Sequence, residues 1–302
     1  MTIRLVPDQR YKIGVLCTHG LFSDAVIRAL ISCELTPRII VFPGIKLPPT
    51  TLETSPRLVV SNNKSRPDDE LISLLKSHQI RYSYSQLLEP QSLIDELFVD
   101  DINLLLVACF PYKIPPAIYQ TFCCLNIHPS LLPSYKGPSP LFWQLRHNHA
   151  TLGVSLHYLS EQWDSGEILT QKAFVREPGA DEYTLISQAA EVAKDLLLEA
   201  LRGRTQSVDS SVSHGSYFRA PEDQDFCITP DWEVQHAYDF LRGTQSWQHN
   251  YRFQARDGSV FYLRDAIEAV AGLNMERPYL KIHNQVQLQL KDGTITANLA
   301  PV

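Results

Sequence analysis

Cys123-Cys124-Leu125-Asn126-Ile127-His128-Pro129-Ser130-Leu131-Leu132-Pro133 is the stretch from which the rest of the chain is read. Its apolar first half runs into a proline, which has no N–H for a strand ladder, so the spacing predicts a short strand closing at His128. Asn126 and His128 are two residues apart and therefore share one face of that strand. The carboxyl end of a strand is where open α/β sheets keep their chemistry.

A second polar island, Ser160-Glu161-Gln162-Trp163-Asp164-Ser165-Gly166-Glu167, interrupts two strand-like runs downstream. If the fold returns it to the first stretch, Asp164 can orient or charge His128. An amide, a titratable ring and a carboxylate together can stabilise an oxyanion and move a proton, the two needs of acyl transfer to an amine. Taken singly, each residue has a bland reading. A lone buried histidine is usually structural, Asp164 could be a turn acid, and Asn126 could close an Asx-turn. The constellation carries the assignment.

On Asn126-Ile127-His128, the Ser130-Leu131-Leu132-Pro133 that follows, and Asp164-Ser165-Gly166, the chain resembles the folate-dependent formyltransferases. Members of that family act on methionyl-tRNA, on glycinamide ribonucleotide and on amino sugars. The resemblance implies that Asn126, His128 and Asp164 are catalytic. It also implies that the Ser130-Leu131-Leu132-Pro133 turn holds the folate and that 10-formyltetrahydrofolate is the formyl donor; no metal is expected, because the cysteine and histidine spacings offer no ligand set.

The chain has 302 residues and a net charge of −6, with 27 basic and 33 acidic side chains. That length predicts about two domains. No basic stretch leads into an apolar run at the start, and no apolar run approaches the ~20 residues needed to span a bilayer, so the cytoplasm is expected and a membrane partner is not. Cys17, Cys33, Cys109, Cys123, Cys124 and Cys227 form no CxxC pair and no disulfide framework. The acidic balance argues against a broad phosphate-backbone partner.

Read in order, Lys12 to Cys17, a helix from about Ser23 or Asp24 to Ser32, and Arg38 to Phe42 make a βαβ unit and predict a parallel sheet. The first turn has Gly14 and Gly20 but no dinucleotide or phosphate-loop fingerprint; Gly14 is read as a packing position. Residues 43–56 form a proline- and threonine-rich loop. In relatives acting on tRNA the comparable region is rich in Arg and Lys, whereas here only Lys46 precedes Arg57. Residues 102–108 read as a central strand by their continuous apolarity. Phe110 to Pro115 follow as a loop resembling one that lines the family's cleft.

Residues 151–159 and 167–175 read as strands and a long helix ends near Leu201; residues 206–214 read as a serine-rich linker. Thr229-Pro230-Asp231-Trp232-Glu233 has the marks of a helix start, with Gly243 as its end. Short strands near 251–255, 260–263, 279–282, 286–290 and 294–299 make a small β domain, which the resemblance identifies as an OB-like barrel. The expected fold is thus α/β: a Rossmann-like, mostly parallel sheet in residues 1–205, a linker at 206–225 and an OB-like domain at 226–302.

The function expected is transfer of a formyl group from 10-formyltetrahydrofolate to the primary amine of a small or carrier-bound acceptor. Two alternatives stand beside it. One is methionyl-tRNA formyltransferase activity on initiator tRNA, which the missing basic loop disfavours. The other is a folate- or partner-binding module without turnover. His157 and the other histidines outside the motif have no partner visible in the sequence and are read as packing or surface residues.

Overall fold

The computed structural model describes residues 2–44, 69–85, 87, 89–205 and 215–301. The loop expected at residues 43–56 lies outside these beyond Gly44, as do Lys46, Arg57 and the linker at 206–214. In chain order the elements are β1 (Ile13–Cys17), α1 (Leu21–Ser32), β2 (Ile39–Pro43), α2 (Asp69–Ser77), β3 (Arg81–Ser85), α3 (Pro90–Val99), β4 (Leu104–Ala108), α4 (Pro116–Tyr119), β5 (Cys123–His128), α5 (Pro140–Arg146), β6 (Thr151–Tyr158), β7 (Ile168–Val175) and α6 (Glu182–Leu201). There follow β8 (Cys227–Ile228), α7 (Val234–Gly243), β9 (Tyr251–Gln254), β10 (Val260–Ala271), β11 (Tyr279–Ile282), β12 (Gln285–Gln289) and β13 (Gly293–Leu299).

Two compact units divide the chain, and they interleave in sequence. The first takes Met1–Pro140, Thr151–Phe174 and Ile186–Ala220; the second takes Leu141–Ala150, Val175–Leu185 and Pro221–Val302. The first is built on a seven-stranded sheet of order β3-β2-β1-β4-β5-β6-β7. Strands β1 to β5 run parallel to one another and β6 runs antiparallel to β5. β1 and β4 are buried along their whole length, as strands covered on both faces must be. Gly14 sits between Ile39 and Leu105, and a Cβ there would lie 3.2–3.4 Å from Leu105, Ile102 and Ile39. The packing reading of this glycine holds.

α1 starts two residues before the expected Ser23. Gly20 occupies the N-cap in extended backbone, and Ser23 turns inward to donate to the Ala108 carbonyl at 2.9 Å instead of capping. Cys123 to His128 form the expected strand, and it ends at Pro129.

In the second unit a six-stranded sheet of order β11-β12-β13-β10-β9-β8 is accompanied by α7. β10 runs for twelve residues where the sequence predicted four, because its continuation carries Asp265 and Glu268 and two register shifts that break the alternation. Those bulges curl the sheet until Tyr279 of β11 meets Phe261 of β10, ring centroids 4.7 Å apart. The ladder itself has two ends, β11 and β8, so among the described residues the pairing shows the expected second β unit as a curled sheet, without closure into a barrel.

α7 begins at Val234, not at Pro230. Its first N–H is taken by the Asp292 carboxylate at 2.7 Å, a cap supplied from the β12–β13 turn that no local signal announces. The Arg176–Asp239 ion pair, both side chains buried, ties the unit's segments together. Arg176 also donates to the His149 carbonyl, and Asp239 accepts the Gly179 N–H. Among the described residues no helix is long and apolar enough to cross a membrane.

Candidate active site

β5 delivers Asn126 and His128 to one face, and the antiparallel register of β6 sets His157 opposite Asn126. The chain then leaves β6, turns through residues 159–166 and brings Asp164 back over both. One oxygen of Asp164 gathers the site: Oδ1 lies 3.4 Å from Asn126 Nδ2, 3.6 Å from His128 Nδ1 and 3.9 Å from His157 Nε2. The other, Oδ2, accepts the Gly137 N–H at 2.8 Å.

Two backbone carbonyls fix which nitrogens face the chemistry. A carbonyl only accepts, so the 2.9 Å contact between His128 Nε2 and the Tyr135 oxygen places a proton on Nε2 and leaves Nδ1 to face Asp164. By the same logic His157 Nδ1–H donates to the Tyr158 carbonyl at 2.9 Å. In the neutral ring His157 Nε2 is then an acceptor, and it takes one Asn126 Nδ2–H at 2.9 Å. That bond orients the Asn126 amide, whose second hydrogen points towards Asp164 at the longer distance. Both long contacts, from Asn126 and from His128, are within reach of an incoming oxygen.

Burial pushes His157 down to about 4, while the Asp164 carboxylate pulls the other way. The ring is therefore neutral at pH 7, as the hydrogen bonds require. In the unfolded chain a histidine titrates near 6.5. Between about pH 6.5 and 4 the unfolded state thus binds a proton that the folded state refuses, and stability falls as pH falls through that window. For His157 alone the expected loss is on the order of 3 kcal/mol. Burial also lowers His19, His147 and His236, which act in the same direction. Urea midpoints measured from pH 7 to pH 4 should decline steadily, and His157→Gln should flatten the decline.

The turn depends on two unusual backbone positions. Asp164 adopts a left-handed φ of 49°, which aspartate tolerates better than most residues. Gly166 lies so close to β6 that a Cβ there would sit 1.7 Å from the Tyr158 oxygen. On the far side, Lys136 Nζ donates to Ser165 Oγ at 2.9 Å, and the Lys136 backbone pairs with Ser216 and Phe218. Gly137, at φ 110°, has the Phe218 oxygen 2.1 Å from where its Cβ would be. Residues 215–218 thus strap the 133–137 turn, and Tyr217 lines the cleft.

The cleft opens beyond the carboxyl ends of β4 and β5 and holds about 890 Å³ of empty space, its mouth included. Phe110, Tyr112, Ile114, Leu159 and Trp163 form apolar and aromatic walls, while Asn126, His128, His157 and Asp164 stand together among its lining residues. Cys109 also lines it, but burial, with Asp164 adding to the effect, pushes its thiol up to about 12. A thiol held protonated is no nucleophile at neutral pH.

Asn126, His128 and Asp164, expected to converge, are brought together. The Phe110 to Pro115 loop contributes to the cleft as its resemblance implied. Ser130, Leu131, Leu132 and Pro133 follow directly on the lining residues His128 and Pro129 and are not themselves among the described residues lining the cleft. Ser130 and Leu132 are buried, with Ser130 Oγ donating to the Ser134 carbonyl at 2.7 Å and the Leu132 N–H donating to Ser155 Oγ at 3.0 Å. The turn follows directly on His128 and shapes the loop whose Tyr135 carbonyl holds that ring. His157, read from sequence as a packing residue, belongs to the site. The strand alternation of residues 151–159 was visible, but the register that sets His157 against Asn126 is a long-range property. Among the described residues no cluster of three or more His, Cys, Asp or Glu could hold a metal ion.

Comparison with known proteins matches residues 52–201 to the formyl transferase family. A methionyl-tRNA formyltransferase of Syntrophus aciditrophicus (strain SB) is 33% identical over 122 residues, 38% of this chain and 39% of that protein. Another, from Halalkalibacterium halodurans, is 27% identical over 183 residues, 57% of this chain and 56% of that protein. The matched stretches are thus less than two thirds of either relative. Among solved structures, WlaRD, a sugar 3N-formyl transferase crystallised with dTDP and 5-N-formyl-THF, superposes with a TM-score of 0.61 at 14% identity over 96% of this chain and 98% of that one. HypX from Aquifex aeolicus in complex with tetrahydrofolic acid gives 0.58 at 16% identity over 96% of this chain and 44% of that one. At such identities these two similarities speak to fold alone.

Proposed function

We propose that this chain, whose residues 52–201 match the formyl transferase family, transfers a formyl group from 10-formyltetrahydrofolate to the primary amine of a small or carrier-bound acceptor. The observation that carries this reading is the gathering of Asn126 Nδ2 and His128 Nδ1 around one carboxylate oxygen at 3.4 and 3.6 Å, beside an open cleft. The donor fits the site on this chain's own residues: flat aromatic walls suit a pterin, and the two donors face the space a formyl oxygen would enter. Bound there, the folate supplies an activated formyl carbon.

In this reading Asn126 and a protonated His128 donate to the oxygen that gains charge as the amine adds. Asp164 balances the imidazolium and helps carry the amine's proton away, so that it ends on the departing folate nitrogen. His157 takes no proton; it holds the Asn126 amide in the donating orientation. The Ser130-Leu131-Leu132-Pro133 turn would act from behind, by fixing the loop whose Tyr135 carbonyl holds the His128 ring.

A second reading, methionyl-tRNA formyltransferase activity, is favoured by the identity of the curated relatives. The charge balance of −6 favours the smaller acceptor, because neutralising phosphates dominates nucleic-acid affinity. One assay separates the readings. Tetrahydrofolate release is followed from 10-formyltetrahydrofolate with no amine, with a panel of amino sugars and amino acid derivatives, and with charged initiator tRNA at two salt concentrations. Release only with a small amine supports the proposal. Salt-sensitive release with tRNA supports the second reading, release without any amine points to hydrolysis, and no release with any acceptor points to a binding module.

A further inference from the structure

The hairpin turn bearing Asp164 closes on the pair Tyr158 and Glu167, the Tyr158 N–H donating to the Glu167 carbonyl at 2.9 Å. Both residues are gripped from outside by the segment that precedes β1. Arg4 forks onto the Glu167 carboxylate, with Nη1 on Oε1 and Nη2 on Oε2, the latter at 2.7 Å. Its guanidinium carbon lies 4.7 Å from the Tyr158 ring centroid, and the Leu5 N–H donates to the Tyr158 hydroxyl at 3.1 Å. The segment is anchored in turn. Tyr11 Oη bonds both the N–H and the carbonyl of Val6, and the Asp8 N–H donates to the Leu201 carbonyl at 2.9 Å.

Tyr158 and Glu167 are not incidental places to hold. The Tyr158 carbonyl is the acceptor that sets the His157 tautomer, and through it the Asn126 amide. Gly166, packed on that same carbonyl, leads two residues back to Asp164. A shift of this closing pair therefore moves two of the groups around the reactive space together. The Arg4 and Glu167 side chains are 53% and 57% exposed, and an exposed ion pair adds little to stability. What a two-pronged fork with a ring beneath it does provide is a fixed geometry.

We infer that Arg4 is a positioning residue for the reaction: by clamping Glu167 and Tyr158 it sets the hairpin on which Asp164 and the His157–Asn126 bond depend. This inference rests on the formyl-transfer reading above. The test compares Arg4→Met, Glu167→Gln and the charge exchange Arg4→Glu with Glu167→Arg in the full chain. Four quantities are read: kcat, KM for 10-formyltetrahydrofolate, the melting temperature, and the ¹⁵N imidazole shifts of His157.

Arg4→Met should lower kcat about tenfold, since small misplacements at a distance cost that much or more. KM should hold within about twofold and the melting temperature within about 2 °C. The His157 signal should lose its pure Nδ1–H character, and the charge exchange should recover most of the kcat. An Arg4→Met protein with wild-type kcat and an unaltered His157 tautomer overturns the clamp, as does a loss that the exchange leaves unrepaired. If the wild type transfers no formyl group, the functional reading fails, and the ¹⁵N signal of Arg4→Met still decides whether the clamp exists.

Discussion

Asp164→Asn is expected to lower kcat by about 10³-fold while the protein stays folded. The Gly137 N–H at Oδ2 needs an acceptor, so the new amide must turn its oxygen there. Its NH₂ then occupies the place of Oδ1, facing Asn126 Nδ2 and His128 Nδ1. A donor now confronts a donor at Asn126, and the negative charge that would balance a protonated His128 is gone. Because the Gly137 hydrogen bond survives, the turn has no reason to open. Single-turnover formyl transfer and a thermal melt on the same preparation check both halves of the statement. Near-normal turnover would remove Asp164 from the scheme.

Gly166→Ala should be almost as damaging for a purely steric reason. The added methyl would lie 1.7 Å from the Tyr158 oxygen and 2.7 Å from its carbonyl carbon, both backbone atoms that cannot swing aside. Reaching ordinary contact requires the hairpin to move by more than an ångström, carrying Asp164 with it. A displacement of that size is expected to lower kcat about 10²-fold. Gly20→Ala, where a Cβ meets nothing nearer than Thr18 Oγ1 at 3.7 Å, serves as the control and should keep its activity. Kinetics of the two variants side by side separate a local clash from a general intolerance of alanine.

The sequence was most legible where function and local structure coincide. Asn126 and His128 announce themselves because a two-residue spacing on a strand ending at proline can only put them together, and Asp164 because its turn interrupts two strands. The βαβ order and the buried parallel strands follow from apolar runs separated by helical periods. Legibility ended where contacts are long-range. His157 looks like any histidine in an alternating strand until the β5–β6 register sets it against Asn126. Asp292, 58 residues away in sequence, caps α7, so the local proline signal at Pro230 mislaid the helix start. β10 was read too short because its bulges break the alternation that marks a strand. Arg4 gave no sign at all, since its partner Glu167 lies 163 residues further on.

In the proposed reaction the Asn126–His128–Asp164 cleft receives the formyl oxygen of a folate. A crystal structure with a non-transferable 10-formyltetrahydrofolate analogue tests it most directly. The predicted result is an analogue in the cleft against Phe110, Tyr112 and Trp163, its carbonyl oxygen about 3 Å from Asn126 Nδ2 and His128 Nδ1. An analogue bound elsewhere, or lying in the cleft with that oxygen turned away from both nitrogens, would contradict it.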